Sequence, residues 1–375
     1  MQNTRVKTGI IIRKFKGLSG AVNYAAELAR RLPSHNFDVT ILAQRADAAL
    51  AKSCGAELRR VPSLPFGGMG GRRLFSAVAG YFGRGLDLTH GQGDTLRQDV
   101  LSLHNCVHAA HLAVHGAPLP AANAVGRLHT LQLAGRKFTR LVANSNLMKT
   151  ELSSRFGVPA GSIRVIYPGV DHTRFPSKAP GRREEFGFSP SDVVAGLVTS
   201  GDLAKRGAAS FLRALALAAP KTPSLKGLIV AGPAQAAPLR ALAAELGVAG
   251  RVTFTAPSPE VDRLYATLDF MAYPALYEEF GITVLEACAC RLPVLLRAPV
   301  IGAAEVLTLE LRAELNFSDD AELAAKMSAL AAAPARRAAL GAAARDCAVP
   351  VSWDAAAASL AELYREVLAE RRPGN

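Results

Sequence analysis

The chain has 375 residues, 50% of them hydrophobic and 20% charged, and a formal net charge of +13 at pH 7. That length implies about two domains at roughly 100–200 residues each, and the composition is globular, not disordered. Apolar runs such as Thr-Gly-Ile-Ile-Ile at 8–12 fall far short of the ~18 residues of a spanning helix, and the N-terminus carries no signal-type apolar region or cleavage site. Cys54, Cys106, Cys288, Cys290 and Cys347 are an odd, sparse set without CxxC spacing, which fits a reducing cytoplasm and argues against a disulfide framework or a structural zinc.

Short β-like runs alternate with helical patterns. Residues 10–12, 39–43, 100–103 and 141–143 read as buried strands, with helices at 21–32 and 147–156. Residues 67–71, Gly-Gly-Met-Gly-Gly, read as a flexible loop and not as a dinucleotide fingerprint, because no strand and helix flank them correctly. The pattern restarts after a turn-rich stretch at 167–181. Strands are expected at 193–199, 228–231, 252–255, 270–273 and 294–296, and helices at 207–217, 236–246, 261–268 and 282–289. From residue 334 the tail is Ala-rich and helical, anchored by Trp353 and Tyr364. Alternation of this kind implies parallel, doubly wound sheets. Two runs across a Pro/Gly linker imply two Rossmann-like domains, one at 1–175, completed by a helix at 353–372, and one at 185–350. Ligands of such sheets bind beyond the carboxyl ends of the strands, so the cleft between domains is the expected site.

The charge is lopsided. Residues 1–180 hold 24 Lys and Arg against 9 Asp and Glu, while residues 181–375 hold 20 against 22; all eight histidines lie in the first part. No acidic residue stands between Asp99 and Glu151, where Arg127, Arg136, Lys137, Arg140 and Lys149 do. A basic first part suggests an anionic partner: a phospholipid surface, a phosphorylated acceptor or nucleic acid. The plainer reading is solubility charge. Nucleic acid is disfavoured, since no aromatics interleave the basic residues and no motif for it is present.

The most informative segment is Tyr-Glu-Glu-Phe-Gly-Ile-Thr-Val-Leu-Glu-Ala at 277–287, between an expected strand and an expected helix. Glu278 and Glu286 are separated by seven residues. Gly281 lets the backbone approach a ligand closely. A helix N-terminus there presents free N–H groups and a positive dipole end to a phosphate. Carboxylates suit sugar hydroxyls, because an ionised acceptor bonds O–H donors strongly. The pattern reads as a nucleotide-sugar pocket, the alternative being an ordinary βα turn with surface glutamates.

This segment, with Leu-Pro-Val at 292–294, resembles the E-x7-E signature of family 4 glycosyltransferases, which have the two-domain GT-B fold. Further resemblances follow in order: the glycine loop at 17–20, Asn144-Ser145 before a helix, Val-Ile-Tyr-Pro-Gly-Val-Asp at 165–171, Phe175, and the stretches 228–232, 252–254 and 352–353. Lipopolysaccharide core glucosyltransferases of this family are similar in their basic N-terminal domain. The resemblance implies transfer of a hexose from a nucleoside-diphosphate sugar, a UDP-sugar foremost, with retention of configuration and without an essential metal or other cofactor. The implied acceptor is a lipopolysaccharide-core, lipid-linked or polysaccharide glycan. It assigns Glu278 to the donor sugar, Glu286 to the ribose hydroxyls, the backbone of Phe280, Gly281 and Ile282 to the sugar and diphosphate, and Gly20 to close approach of the N-terminal loop.

Lys205 and Arg206 stand where the family carries its basic segment before a glycine, and are implied diphosphate ligands. Fixed cations stabilise a leaving diphosphate best in a dry cleft; otherwise the two are a solvated pair at a helix start. His104 ends a strand in the family manner and is implied beside the reacting carbon, although a lone His is more often satisfied packing. His108, His111 and His115 follow at helical spacing and would share a face with His104 if the helix runs that far; no carboxylate or Cys completes a metal set there. Residues 122–140 read as a helix in which Arg127, Arg136, Lys137 and Arg140 contact an anionic membrane or acceptor, or as a core-facing helix with snorkelling basic side chains. The expected location is cytoplasmic, peripheral on the inner face of the membrane.

Several positions depart from the family pattern: Ser19 for a glycine, Glu279 for a small residue, Tyr167-Pro168-Gly169 for Pro-Asn-Gly, Arg206 for Lys, and Arg291 for Gly. The loop at 302–305 fits only loosely. A catalytically inactive relative that binds anionic glycolipid is the competing expectation.

Overall fold

The computed structural model of the chain describes residues 5–17, 19–62, 67–176, 178–199 and 201–371. Parts of the sequence reading touch residues outside these ranges: Leu18 of the glycine loop, Ser177 of the turn-rich stretch, Arg372 of the terminal helix, and residues 1–4 and 63–66 of the first expected domain. The chain divides into two compact units, residues 1–169 with 353–375 and residues 170–352.

The first unit holds a seven-stranded parallel sheet. Its spatial order is Glu57–Arg60, Phe37–Ala43, Val6–Ile11, Leu88–Gly91, Val100–Leu103, Arg140–Ala143 and Ile163–Val165. Helices on both faces bury the central strands, so these read as continuous apolar runs: Ile10, Ile41, Leu42, Leu88, Val100, Leu101 and Leu141 are all fully buried. The helix Trp353–Arg371 returns to this unit at the chain's end. Trp353 packs edge-on to Tyr24 at 5.8 Å, and the Tyr364 hydroxyl lies 2.6 Å from His90 Nδ1.

The second unit holds a five-stranded parallel sheet in the order Val252–Thr255, Leu225–Val230, Val193–Leu197, Phe270–Tyr273 and Val294–Leu296. The chain enters at the middle strand, builds outward on one side, then returns to build on the other. The direction of winding therefore reverses between Val193–Leu197 and Phe270–Tyr273, and the loops leaving these neighbouring strands lie at the same carboxyl end of the sheet, where ligands of such sheets bind.

The structure corrects several expectations. Residues 67–71 are not a free loop: Gly68–Phe82 is one helix, whose Phe75 and Ala79 pack on Ile11, Leu42 and Val61. The periodic apolar residues beyond the glycines outweigh glycine's low helix propensity. The helix expected over 122–140 is Ala124–Gly135, ended by Arg136 in left-handed geometry, and Arg140 begins a strand. The helix after His104 starts later, at Val107, with Cys106 at its N-cap, so His104 is not on it. The short strands Glu57–Arg60, Leu88–Gly91 and Ile163–Val165 were not anticipated, since none carries a distinct apolar alternation.

Candidate functional site

The site of the second unit is assembled from the two loops at its winding reversal. The loop after Val193–Leu197 carries Lys205 and Arg206 and leads into the helix Ala208–Ala218. The loop after Phe270–Tyr273 carries Glu278 and Glu279 and leads into Ile282–Ala289. They touch through backbone. Leu276 N donates to Lys205 O at 2.9 Å, and a Cβ added to Gly207 would lie 2.0 Å from Pro274 O. Gly207 also has φ +71°, so its lack of a side chain serves both the turn and the contact.

A third segment clamps the second loop from its other side. Glu278 N donates to Val300 O at 2.8 Å, Gly302 N to Glu278 O at 3.0 Å, and Ala303 N to Phe280 O at 2.7 Å. The carboxylates are thereby carried on a braced backbone. Phe280 is 2% exposed. Gly281, at φ +97°, is the N-cap of Ile282–Ala289 with no side chain capping the amides of that helix.

The side chains pair across the loops. Lys205 Nζ lies 2.6 Å from Glu279 Oε2. Arg206 forms an ion pair with Glu278, which also accepts the Tyr273 hydroxyl at 3.0 Å. Arg206 Nε is buried without a hydrogen-bond partner among the described residues. Burial opposes the Arg206 charge, but Tyr273, Glu278, Glu279 and Asp202 outweigh it and hold its pKa above the ordinary value. Burial pushes the Glu278 carboxyl up, against the pull of Arg206 and Lys205. On the adjoining helix, Glu286 accepts the Tyr265 hydroxyl at 2.9 Å. Burial raises its carboxyl to about 7, with Tyr265 and Arg174 pulling the other way. Two cations, three carboxylates and a run of helix-start backbone thus converge at one end of one sheet.

In the first unit, His104 follows the strand Val100–Leu103. Its Nε2 lies 2.7 Å from Gln92 Oε1, and its ring stands edge-on to Tyr24 at 4.7 Å. Burial lowers its pKa to about 4, so the imidazole is neutral and donates through Nε2 to the amide oxygen. Gln92 Nε2 and Asn144 Oδ1 are buried near it without hydrogen-bond partners among the described residues; Asn144 Nδ2 donates to His104 O at 3.4 Å. Gly20 opens the helix Gly20–Arg31, with Ser19 as N-cap and no atom within 4 Å of where a Cβ would stand.

Arg127 and Lys137 are exposed. Arg136 donates to Gly157 O at 2.7 Å, and half-buried Arg140 pairs with Glu370. His111 and His115 stack at 4.3 Å between ring centres, while His108 packs on Phe156. Among the described residues no three His, Cys, Asp or Glu are placed to hold a metal ion, and no helix is long and apolar enough to cross a membrane.

With this geometry in place, two family profiles match the sequence: "Glycosyltransferase Family 4" over residues 18–174 and "Glycosyl transferases group 1" over residues 196–346. The chain belongs to family 4 of the glycosyltransferases. The D-inositol 3-phosphate glycosyltransferase of Rhodococcus opacus is 33% identical over 285 residues, 69% of this chain and 61% of that protein. The chain thus spans less than two thirds of that relative's length. Among solved structures, WaaG, a glycosyltransferase involved in lipopolysaccharide biosynthesis, superposes with a TM-score of 0.77 at 20% identity, covering 95% of this chain and 99% of WaaG. Anabaena HepE, solved with UDP and glucose, gives 0.78 at 19% identity, covering 96% and 100%. The expected GT-B fold is the fold of this chain.

Of the residues anticipated from sequence, Lys205, Arg206, Glu278, Phe280, Gly281, Ile282 and Glu286 come together in the second unit. Tyr265, Tyr273 and Gln92 were missed. Each orients a charged or titratable group through one hydrogen bond, and tyrosines in apolar strands and helices read as core.

Proposed function

We propose that the chain is a retaining glycosyltransferase that moves a hexose from a nucleoside-diphosphate sugar, a UDP-sugar foremost, to a hydroxyl of a lipopolysaccharide-core, lipid-linked or polysaccharide acceptor. The observation that carries the proposal is the meeting of Lys205, Arg206, Glu278 and the Gly281 helix start at the winding reversal of the second sheet. A diphosphate needs cations and amides at one point, and a sugar needs fixed carboxylates beside them.

In this reading Lys205 and Arg206 face the diphosphate, and the orphaned Arg206 Nε is a donor that phosphate oxygen would satisfy. The bond from the anomeric carbon to the diphosphate oxygen breaks, its electron pair leaves on the diphosphate, and the acceptor oxygen bonds the carbon while its proton passes to the departing diphosphate oxygen. Cations fixed where charge develops lower that barrier. Glu278, steadied by Tyr273, holds sugar hydroxyls, and Glu286 holds the ribose. The backbone of Phe280, Gly281 and Ile282 lies along the sugar and diphosphate. His104, neutral and oriented by Gln92, is assigned a sugar hydroxyl, and Gly20 the close approach of backbone to phosphate. No metal or other cofactor is given a role.

The UDP and glucose held by HepE support the donor, and the likeness to WaaG supports a lipopolysaccharide acceptor. The name of the Rhodococcus relative supports a phosphorylated polyol instead. The basic first part suits either, and also a peripheral position on the inner face of an anionic membrane, through Arg127 and Lys137 above all. A second reading, an inactive binder of anionic glycolipid, draws on the fact that both cations already face carboxylates.

Incubation with UDP-, GDP- and ADP-sugars, with and without acceptor glycolipid, tests the proposal. Acceptor-dependent release of nucleoside diphosphate, lost in Glu278→Ala and Lys205→Ala, is expected. No turnover of any donor, or turnover untouched by both substitutions, would overturn it.

A further inference from the structure

The Lys205–Glu279 contact links the two loops of the site at 2.6 Å and joins residues 74 positions apart. The Glu279 side chain is 2% exposed and that of Lys205 15%, so water screens the pair weakly. Both carboxylates of the loop face a cation, but their surroundings differ. Glu278 also takes the Tyr273 hydroxyl, and the functional reading gives it the donor sugar. Glu279 has no part in that reading.

Lys205 carries its charge as a point on a flexible stem, unlike the planar fork of Arg206. Its ammonium sits 5.7 Å above the centre of the Tyr277 ring, a second attraction that keeps it near Glu279. An arriving phosphate must either draw Lys205 from Glu279 or accept a buried negative charge close by. Both oppose binding, because like charges in a poorly solvated site repel strongly.

We propose that Glu279 is a positioning residue: an internal counter-ion that holds Lys205 and so weakens the grip of the site on ground-state donor and on the nucleoside-diphosphate product. The proposal rests on the reading of Lys205 as a diphosphate ligand. Its chemical consequence is differential. Lys205 is shared with Glu279 while the phosphate charge is spread over the donor, and moves toward the leaving group as negative charge grows there, so its charge counts more in the transition state than before it. The same arrangement favours release of the product.

Calorimetric titration of UDP, GDP and ADP into the wild-type chain, Glu279→Gln, Lys205→Ala and the double variant tests this, with thermal unfolding as the check that each protein is folded. Glu279→Gln is expected to bind its nucleoside diphosphate on the order of tenfold more tightly. That gain should vanish in the Lys205→Ala background, and in turnover KM should fall while kcat does not rise. Glu279→Ala and Glu279→Asp serve if the glutamine variant is unstable, with a full gain expected for Ala and a partial one for Asp. Unchanged or weaker binding in folded Glu279 variants, while Lys205→Ala weakens binding, overturns this inference alone. A gain of equal size without Lys205 also overturns it, since the effect would then be general repulsion. Failure of every protein to bind any nucleoside diphosphate overturns both this and the functional reading.

Discussion

Acidification from pH 7 to pH 5 should destabilise the first unit selectively, through histidines buried in neutral form. Burial lowers His90 to about 3, with His104 adding to the effect, lowers His129 to about 4, with His108 and Arg72 adding, and lowers His104 itself to about 4. His90 and His129 are 0% and 4% exposed. His90 is locked between the Tyr364 hydroxyl and Ser102 Oγ, at 2.6 and 2.7 Å. The unfolded chain takes up a proton at each near pH 6.5, which the folded chain refuses until pH 3–4. Their contribution is therefore complete above about pH 6.5 and is lost as the pH falls, at up to ~1.4 kcal/mol per pH unit each. Integrated to pH 5, that is about 2 kcal/mol per histidine and about 6 kcal/mol for the three. The loss is a large share of a typical stability of roughly 5–15 kcal/mol. The assay is urea unfolding followed by tryptophan fluorescence, because the single tryptophan, Trp353, is 2% exposed against Tyr24 and reports on this unit. With a denaturant slope of roughly 1–3 kcal/mol per molar, the midpoint should fall by more than about 1 M between pH 7 and pH 5. His129→Gln should recover about a third of that fall; only pH slopes are compared, so any cost of the substitution at pH 7 cancels. Identical slopes in wild type and His129→Gln would refute the reasoning.

Three further outcomes are expected. Lys205→Ala should cut kcat on the order of 100-fold while changing donor affinity only a few-fold, because its charge acts mainly as the diphosphate leaves; an equal loss in an equilibrium titration would contradict this. Glu286, raised to about 7, is an ionised acceptor only above that pH. Donor KM should therefore rise as pH falls from 8 to 6, and Glu286→Gln should flatten the profile in steady-state assays. Gly207→Ala should destabilise the second unit by about 2–4 kcal/mol, since φ is +71° and the new Cβ meets Pro274 O. Calorimetry would register it as a lower unfolding temperature, and donor binding should weaken with it as the 274–281 loop shifts.

Much of the second unit was legible because most of its strands are short, largely buried apolar runs set off by turn residues, and because Glu278, Gly281 and Glu286 lie within one loop and one helix. Even a departure is informative: Arg291 replaces the family's glycine, yet the backbone there keeps a φ of +60°. The first unit was less legible. Glu57–Arg60 is a charged edge strand, and edge strands need no apolar alternation. The glycines at 67–71 signalled a loop on local grounds, whereas burial of Phe75 and Ala79 makes a helix of them.

The sequence by itself determined the alternation of strand and helix, the family, and the residues of the E-x7-E segment, because each is encoded within a short stretch of chain. Which cation meets which carboxylate was decided only by the tertiary structure. Lys205 and Glu279 stand on separate loops, and they come within 2.6 Å because the reversal of winding in a parallel sheet brings those two loops to the same end.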